Sequence, residues 1–556
     1  MIIRLIRVLF WAGFLLGGAL PGGAAETALP SPENHVFQYM TRQSFTVPGF
    51  KPSNTAGYLW IPPACQRVRG LLVMSDNVPE QGLAGSPVIR AVCAEQDLAI
   101  LFFCPSFRIS DVCADKQMSW PEKGKYHGAY LQQCLEALAT ESGYAELRTV
   151  PLLPMGESMS LQVVNLLTLE FPDRCIAGIW IKDAPMGFAR PGLPMLAACG
   201  TAAEWEQQTF DIFTRWQQMA TNDAKDAVNT RTAKPDWPGS LLVEAGSAHF
   251  SCTRPMVDLI AQYIRAAAKA RLPANGGAAL RPVDLNSGQV AGLPVPGATP
   301  VKPKPYTACT PAERTLPWYF DHALAQAAYD LANVNWNAQT QVPVFTDKDG
   351  KPLPFNGRGI FNIPCSLEPD GISFSVNATF LDKLPAEFVK GGTPLTHVAG
   401  APAVEWLKGP AIPLGNNRFQ IALDRSASPN GDLAFIFRTW HPGDANFRLS
   451  VNPGMINIPR NKTGKPQAIA FDAIPDQPAG VPEIQLHATS DSGLPVKFFV
   501  RAGPAEIHGD KLVFTPIPPR SKMPITVTVG AWQWGRAAEP AIQTATLVER
   551  TFKIGK

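Results

Sequence analysis

The stretch Pro151-Leu-Leu-Pro-Met-Gly-Glu-Ser158-Met-Ser160-Leu-Gln-Val-Val-Asn-Leu-Leu constrains the first half of this chain more than any other. It reads as a short apolar strand, a tight turn with Ser158 at its tip, and a helix from about Met159 to Phe171. Such a turn lifts the serine hydroxyl above the sheet edge, and the new helix aims its positive end at it. Gly156 suits a turn with no room for a side chain two residues before the serine. The same stretch also fits an ordinary strand–helix junction with Ser158 as an exposed N-cap. Pro151 and Pro154 count against a central strand, since each removes a ladder donor.

From Tyr58 to Pro273 strands and helices alternate. Gly70–Met74 is an apolar run that ends in Ser75-Asp76-Asn77. Residues 87–95 read as a helix and Leu98–Phe103 as the next strand. Leu131, Cys134, Leu135 and Leu138 fall at helical spacing, so 128–142 is an amphipathic helix closed by Gly143. After the Ser158 turn come strands at Ile176–Ile181, Met195–Cys199 and Leu241–Glu244. Alternation of this kind predicts a parallel, doubly wound α/β sheet, with ligands gathering at the carboxyl ends of its strands.

The chain begins with Arg4 and Arg7 before an apolar run, Val8 to Leu20, and the small residues Gly23-Ala24-Ala25. The run is too short to span a bilayer, so residues 1–25 read as a signal peptide for export to the periplasm or the extracellular space, with no transmembrane anchor. Beyond it, the chain is long enough for about three domains. A formal charge of +3 over 556 residues, with no basic stripe, gives no sign of a nucleic-acid partner. Ten cysteines in an exported chain permit disulfides, and Cys104–Cys113 is the favoured bridge. No C-x-x-C or H-x-x-x-H spacing points to a metal, and no cofactor is expected.

Residues 286–305 lose all periodicity among prolines and glycines and read as a linker. This places an α/β domain at 26–285 and β-rich modules at 306–478 and 479–556. Thr310 to Asn333 offers one helical segment. Thereafter the period is two: Ile372, Phe374, Val376, Ala378 and Phe380; Phe419, Ile421 and Leu423; Phe447, Leu449 and Val451. Short alternating strands between Gly/Pro turns predict two all-β, sandwich-like modules. A weak repeat relates them: Gly409-Pro410-Ala411 with Gly415-Asn416-Asn417, and Gly503-Pro504-Ala505 with Gly509-Asp510-Lys511.

A serine nucleophile needs a base, an acid to orient that base, and donors for the oxyanion. His249 sits in Gly246-Ser-Ala-His249, just after the strand Leu241–Glu244 and before a helix at 255–271. None of the other seven histidines has that position. For the acid, Glu204 follows the strand Met195–Cys199. Glu206 and Asp211 lie just beyond, and Asp183 follows the preceding strand. A serine turn, an acid at a strand end and then Gly-Ser-Ala-His before a closing helix resembles the α/β-hydrolase family over about residues 55–275. The resemblance implies an oxyanion hole made of the Met159 N–H and one from Asp76 or Asn77. The chain departs from the family pattern in Ser160, where a second glycine is usual, and in the Asp-Asn donor loop. With Gly493-Leu-Pro-Val496, Gly503-Pro-Ala505 and Ile517-Pro-Pro-Arg520, the last 75 or so residues resemble bacterial immunoglobulin-like modules.

These readings lead to an exported serine esterase that works through an acyl-enzyme, its substrate an ester, with acyl groups on a polymeric glycan the first choice. Lipase or peptidase chemistry would use the same residues. The competing class is a surface or glycan-binding protein with a decayed hydrolase domain. The oligomeric state is left open.

Overall fold

The computed structural model describes residues 36–43, 55–107, 119–182, 185–200, 225–244, 246–247, 249–274, 279–293, 299–334, 338–354, 360–386, 391–428 and 431–555. The 1–25 segment, Cys113, Asp183, Glu204, Glu206 and Asp211 lie outside them. Among the described residues, no helix is long and apolar enough to cross a membrane.

The first half of the chain builds one eight-stranded sheet. Its strands are β1 (Tyr39–Thr41), β2 (Ala56–Trp60), β3 (Gly70–Ser75), β4 (Leu98–Cys104), β5 (Leu152–Glu157), β6 (Gly178–Ile181), β7 (Met195–Gly200) and β8 (Gly239–Glu244). They lie in the order β1-β2-β4-β3-β5-β6-β7-β8. The β1–β2 and β2–β4 pairs are antiparallel, and every pair from β4 onward is parallel. The parallel part of the sheet is the one the N-terminal sequence pattern predicts, and its strand order is that of the α/β-hydrolase fold.

The strands read as unbroken apolar runs because both faces are covered. Leu71 and Val73 join one buried cluster with Leu131, Leu135 and Leu138 of α3 (Trp120–Ser142) and Val163, Val164 and Leu167 of α4 (Leu161–Glu170). Leu72 and Met74 point the other way. Their cluster holds Leu83 of α1 (Pro79–Gly85), Val92 of α2 (Pro87–Glu95) and Ile260 and Ile264 of α5 (Arg254–Arg271). Helix α3 starts eight residues before the expected 128. Ser119 caps it in a reciprocal capping box with Glu122, and Pro121 stands in the first turn, where no N–H is needed.

Pro154 is accommodated in a central strand. Pairing of β5 with β3 runs from Leu152 to Pro154, and pairing with β6 takes over from Met155 to Glu157. The missing donor therefore falls where the β3 ladder ends.

Residues 286–305 read as a linker in the sequence, but the structure ties the described ones, 286–293 and 299–305, to the α/β domain. Strands β9 (Gln289–Val290), β10 (Lys304–Pro305) and β11 (Trp318–Tyr319) form a small sheet beside β8. The Tyr319 hydroxyl donates to the Leu241 carbonyl at 2.7 Å, and the Ser240 hydroxyl donates to the Trp318 carbonyl at 2.5 Å. These bonds dress the outer edge of β8, which would otherwise offer unpaired groups to another chain. Tyr319 and Leu324, Ala325 and Ala328 of α6 (His322–Asn333) belong to the same core cluster as α5. The α/β core therefore extends to about residue 333, well past the expected boundary at 285.

The remainder of the chain is rich in small, mostly antiparallel sheets. β12 (Pro343–Thr346), β13 (Phe361–Asn362), β14 (Ser373–Ser375), β15 (Asn377–Phe380), β16 (Ala403–Lys408), β17 (Ala411–Gly415), β18 (Arg418–Ile421), β19 (Leu433–His441) and β20 (Ser450–Ile458) make sheets β13-β20-β19-β16, β14-β18-β17 and β12-β15. β21 (Ile469–Phe471), β22 (Glu483–Gln485), β23 (Ala488–Ser490), β24 (Lys497–Ala502), β25 (Ala505–His508), β26 (Lys511–Phe514), β27 (Ile525–Trp532) and β28 (Val548–Ile554) make the last group. β21 pairs with β23, and Phe471 packs on Phe498, so this group begins before the expected residue 479.

The weak sequence repeat corresponds to a shared local structure. Gly409 (φ 101°) and Gly503 (φ 118°) each open a corner, and the alanine two residues on donates back to the glycine carbonyl at 2.9 Å. Each corner then leads into an antiparallel hairpin, β17–β18 in one case and β25–β26 in the other. Both corners face the α/β domain. The Gly409 N–H donates to Gln81 Oε1 at 3.2 Å, and the Gly503 N–H to the Phe37 carbonyl at 3.1 Å.

Cys104 is a buried free thiol, and Cys113, its expected partner, lies outside the described residues. Burial pushes the Cys104 pKa well up, which suits a packing role.

Candidate active site

Ser158 follows β5 at the carboxyl end of the sheet and begins a short 3₁₀ turn that leads into α4. Its φ of 49° is left-handed, a conformation that costs a non-glycine residue energy and persists only where the surroundings enforce it. The enforcement is visible on both sides. A Cβ on Gly156 would come within 2.4 Å of the Ser160 carbonyl oxygen, so the turn closes only over a glycine. Ser160 is fully buried, and its hydroxyl donates to the Ser75 carbonyl at 2.9 Å. That bond ties the turn to the end of β3 and accounts for a serine where the family pattern has glycine.

His249 lies beyond β8, with its ring 4.7 Å from that of Phe250 and almost wholly buried. Its Nε2 is 2.7 Å from Ser158 Oγ. The structure thus brings together two residues 91 positions apart in a hydrogen bond along which a proton can pass. For histidine to act as base, Nε2 must be the bare nitrogen and Nδ1 must carry the hydrogen, which calls for an acceptor on the far side of the ring. All the acids proposed for that role, Glu204, Glu206, Asp211 and Asp183, lie outside the described residues.

Sequence reasoning passed over another carboxylate, Glu157. It is fully buried, and its Oε1 is 3.6 Å from His249 Nε2, on the serine side of the ring. It therefore does not occupy the orienting position at Nδ1. The Asn77 side-chain amide donates to its Oε2 at 2.5 Å and to its backbone carbonyl at 3.0 Å. The only signal for this in the sequence was adjacency to Ser158.

The oxyanion side is built from the loop after β3. The Asp76 N–H is committed to the Phe103 carbonyl at 2.8 Å, a continuation of the β3–β4 pairing. Of the two residues considered there, Asn77 is thus the one whose amide can serve as a donor. Met159 follows the serine at the start of the turn, with its side chain well exposed. Glu80 at the start of α1 braces this region: its two carboxylate oxygens accept the Glu157 N–H at 2.6 Å and the Val78 N–H at 3.0 Å. Burial pushes the Glu80 carboxyl up to about 7 against the pull of those donors.

A buried network underlies the histidine loop. Lys182 Nζ donates to Ser247 Oγ at 2.6 Å and lies 3.9 Å from Glu244, whose carboxylate accepts from Thr253. A Cβ on Gly200 would meet the Ser247 carbonyl oxygen at 2.2 Å. The ends of β6, β7 and β8 are thus locked to the segment that carries His249.

No family model matches the chain, and no curated protein matches it. Solved structures do. A carboxylesterase from Bacillus cereus is 11% identical over 39% of this chain and 95% of its own, with a TM-score of 0.25. An S-formylglutathione hydrolase from Agrobacterium tumefaciens is 11% identical over 39% of this chain and 89% of its own, at 0.26. A soluble variant of monoglyceride lipase from Saccharomyces cerevisiae is 8% identical over 43% of this chain and 99% of its own, at 0.27. At such TM-scores the likeness carries no weight of its own, and the assignment of an α/β-hydrolase fold rests on the strand order and the turn at Ser158.

Proposed function

We propose that this protein is a serine hydrolase that cleaves carboxylic esters through an acyl-enzyme. The observation that carries the reading is the 2.7 Å contact between Ser158 Oγ and His249 Nε2 at the carboxyl ends of β5 and β8. In this mechanism His249 takes the Ser158 proton as the hydroxyl attacks the ester carbonyl, and the amides of Met159 and Asn77 hold the oxyanion. His249 then returns the proton to the departing alcohol. A water repeats the sequence on the acyl-enzyme and frees the acid. General-base help of this kind contributes ~10²–10⁴ in rate, and oxyanion donors a comparable factor.

The finer reading adds an exported protein, from residues 1–25, and two β regions of sandwich type, the second immunoglobulin-like. Appended β modules on an exported esterase favour acyl groups carried on a glycan. The test is a panel of short-chain aryl esters alongside acetylated and feruloylated glycans. The expected result is turnover of the aryl esters and release of acetate or ferulate from at least one glycan. Turnover of aryl esters without release from any glycan would remove the glycan assignment. Inertness toward every ester would remove the enzyme reading as a whole.

A further inference from the structure

The loop that supplies the Asn77 amide is held from outside the α/β domain. Lys408 is the last residue of β16, 331 positions from Asn77. Its ammonium lies 3.0 Å from both carboxylate oxygens of Asp76 and also donates to the Asn77 carbonyl. With the Asn77 side chain engaged by Glu157, the carbonyl and the side-chain amide of this residue are both fixed. The neighbouring Gly409 N–H reaches Gln81 of α1, and the Gln81 side chain in turn donates to Asp424 at 2.5 Å. The same β region grips the other side of the site. The Val451 N–H donates to the Gly246 carbonyl at 3.2 Å, and Arg438 donates to the Cys252 carbonyl at 3.2 Å. Gly246 (φ 79°) sits so close to Leu449 that an added Cβ would overlap its carbonyl oxygen.

Charge makes the contact at Lys408 more than an anchor. Asp76 and Glu157, with Glu80 whose carboxyl burial pushes up to about 7, place three carboxyl groups around the loop and the nucleophile. Negative charge there opposes the oxyanion that must form. An ammonium seated between Asp76 and the Asn77 carbonyl offsets that charge where the donor amide is displayed. Lys408 is held in its charged form: burial works against it, but the adjacent Asp76 prevails and raises its pKa.

Building on the esterase reading, we propose that Lys408 is a positioning residue of the active site, fixing the Asp76-Asn77 turn so that the Asn77 amide is preorganised as an oxyanion donor. On this account residues 343–458 form a component of the hydrolase itself rather than a detachable targeting module. The two corner glycines show the same manner of docking at both β regions, but only the first carries a lysine into the site.

The test compares full-length wild type with Lys408→Met, Lys408→Gln and Lys408→Arg on an aryl ester. Active-site titration with a fluorophosphonate counts the competent molecules in each preparation. Per competent site, Lys408→Met should lower kcat about ten- to a hundredfold with KM within about threefold, the pattern of a contribution made in the transition state. Lys408→Arg should keep more of the rate than Lys408→Gln. Adding Asp76→Asn to Lys408→Met should restore part of the loss, since it removes the charge that Lys408 offsets. Wild-type kcat per site in Lys408→Met, or in Lys408→Gln if the methionine variant fails to fold, overturns the proposal. So does a loss confined to the thermal midpoint or to the titrated fraction, which would assign Lys408 to docking alone. A wild type that neither turns over ester nor reacts with the probe would overturn the esterase reading, a result distinct from an active wild type matched by its Lys408 variants.

Discussion

Ser158→Ala should abolish ester hydrolysis, with a fall in kcat on the order of 10⁴-fold or more, while the thermal midpoint shifts by only a few degrees. The size of the effect reflects the role of the hydroxyl. In the proposed mechanism it is the atom that attacks, and no described neighbour can replace it. The small cost in folding reflects its few contacts. One hydrogen bond to His249 is lost, worth about 0.5–1.5 kcal/mol net, and no apolar contact changes. His249→Ala should reduce turnover to a similar degree, because nucleophile and base act as a unit and their losses do not add. Measured kcat and melting curves for both variants decide the matter. Retention of more than a tenth of the wild-type rate in Ser158→Ala would remove that serine from the mechanism.

A chain cut after Gly288 should fail to give a stable, active α/β domain. The sequence pattern alone argued the opposite, since the last core helix of the parallel sheet closes at Arg271 and a proline-rich stretch comes next. The structure reverses the expectation. Trp318, Tyr319 and Leu324 are buried to within 2% of full burial, and the latter two stand in the core cluster that includes α5. Removing three large buried side chains forfeits roughly 5–9 kcal/mol at about 1.5–3 kcal/mol each. That is comparable to the whole stability of a typical domain, about 5–15 kcal/mol. A cut after residue 334 should recover soluble folded protein more often, yet remain slow on esters because Lys408 is missing. Expression, circular dichroism and aryl-ester assays of the two truncations check this. Full activity in the shorter one would show that neither α6 nor the β regions support the site.

The features that could be read from the sequence divide along physical lines. The parallel strands were legible because burial on both faces leaves continuous apolar runs, and helix spacing is unmistakable at Leu131, Cys134, Leu135 and Leu138. Ser158 and His249 were legible because each occupies a strand end with a characteristic local sequence. The role of residues 286–305 was not. Proline and glycine erase periodicity whether a segment is free or packed, and only the tertiary bonds of Trp318 and Tyr319 to β8 reveal which. Alternation misled at two places. The single run from Ile372 to Phe380 splits between β14 and β15, which belong to different sheets. Phe447 and Leu449 precede β20 rather than joining it, because that segment docks against Gly246. Lys408 left no local signal at all. Its partners are more than 300 residues away, and a lysine at the end of an alternating strand looks like any solvated charge. The orienting acid expected from the sequence, Glu204 in preference to Asp183, lies outside the described residues.

The most direct test of the central claim is to treat the full-length protein with a fluorophosphonate and map the adduct by mass spectrometry. An ordinary surface serine does not react, whereas one hydrogen-bonded to a histidine base does. The expected result is a single stoichiometric adduct on Ser158 in the wild type, with labelling slowed by orders of magnitude in His249→Ala. Absence of labelling in folded wild type, or labelling of Ser158 at the same rate without His249, would contradict the account.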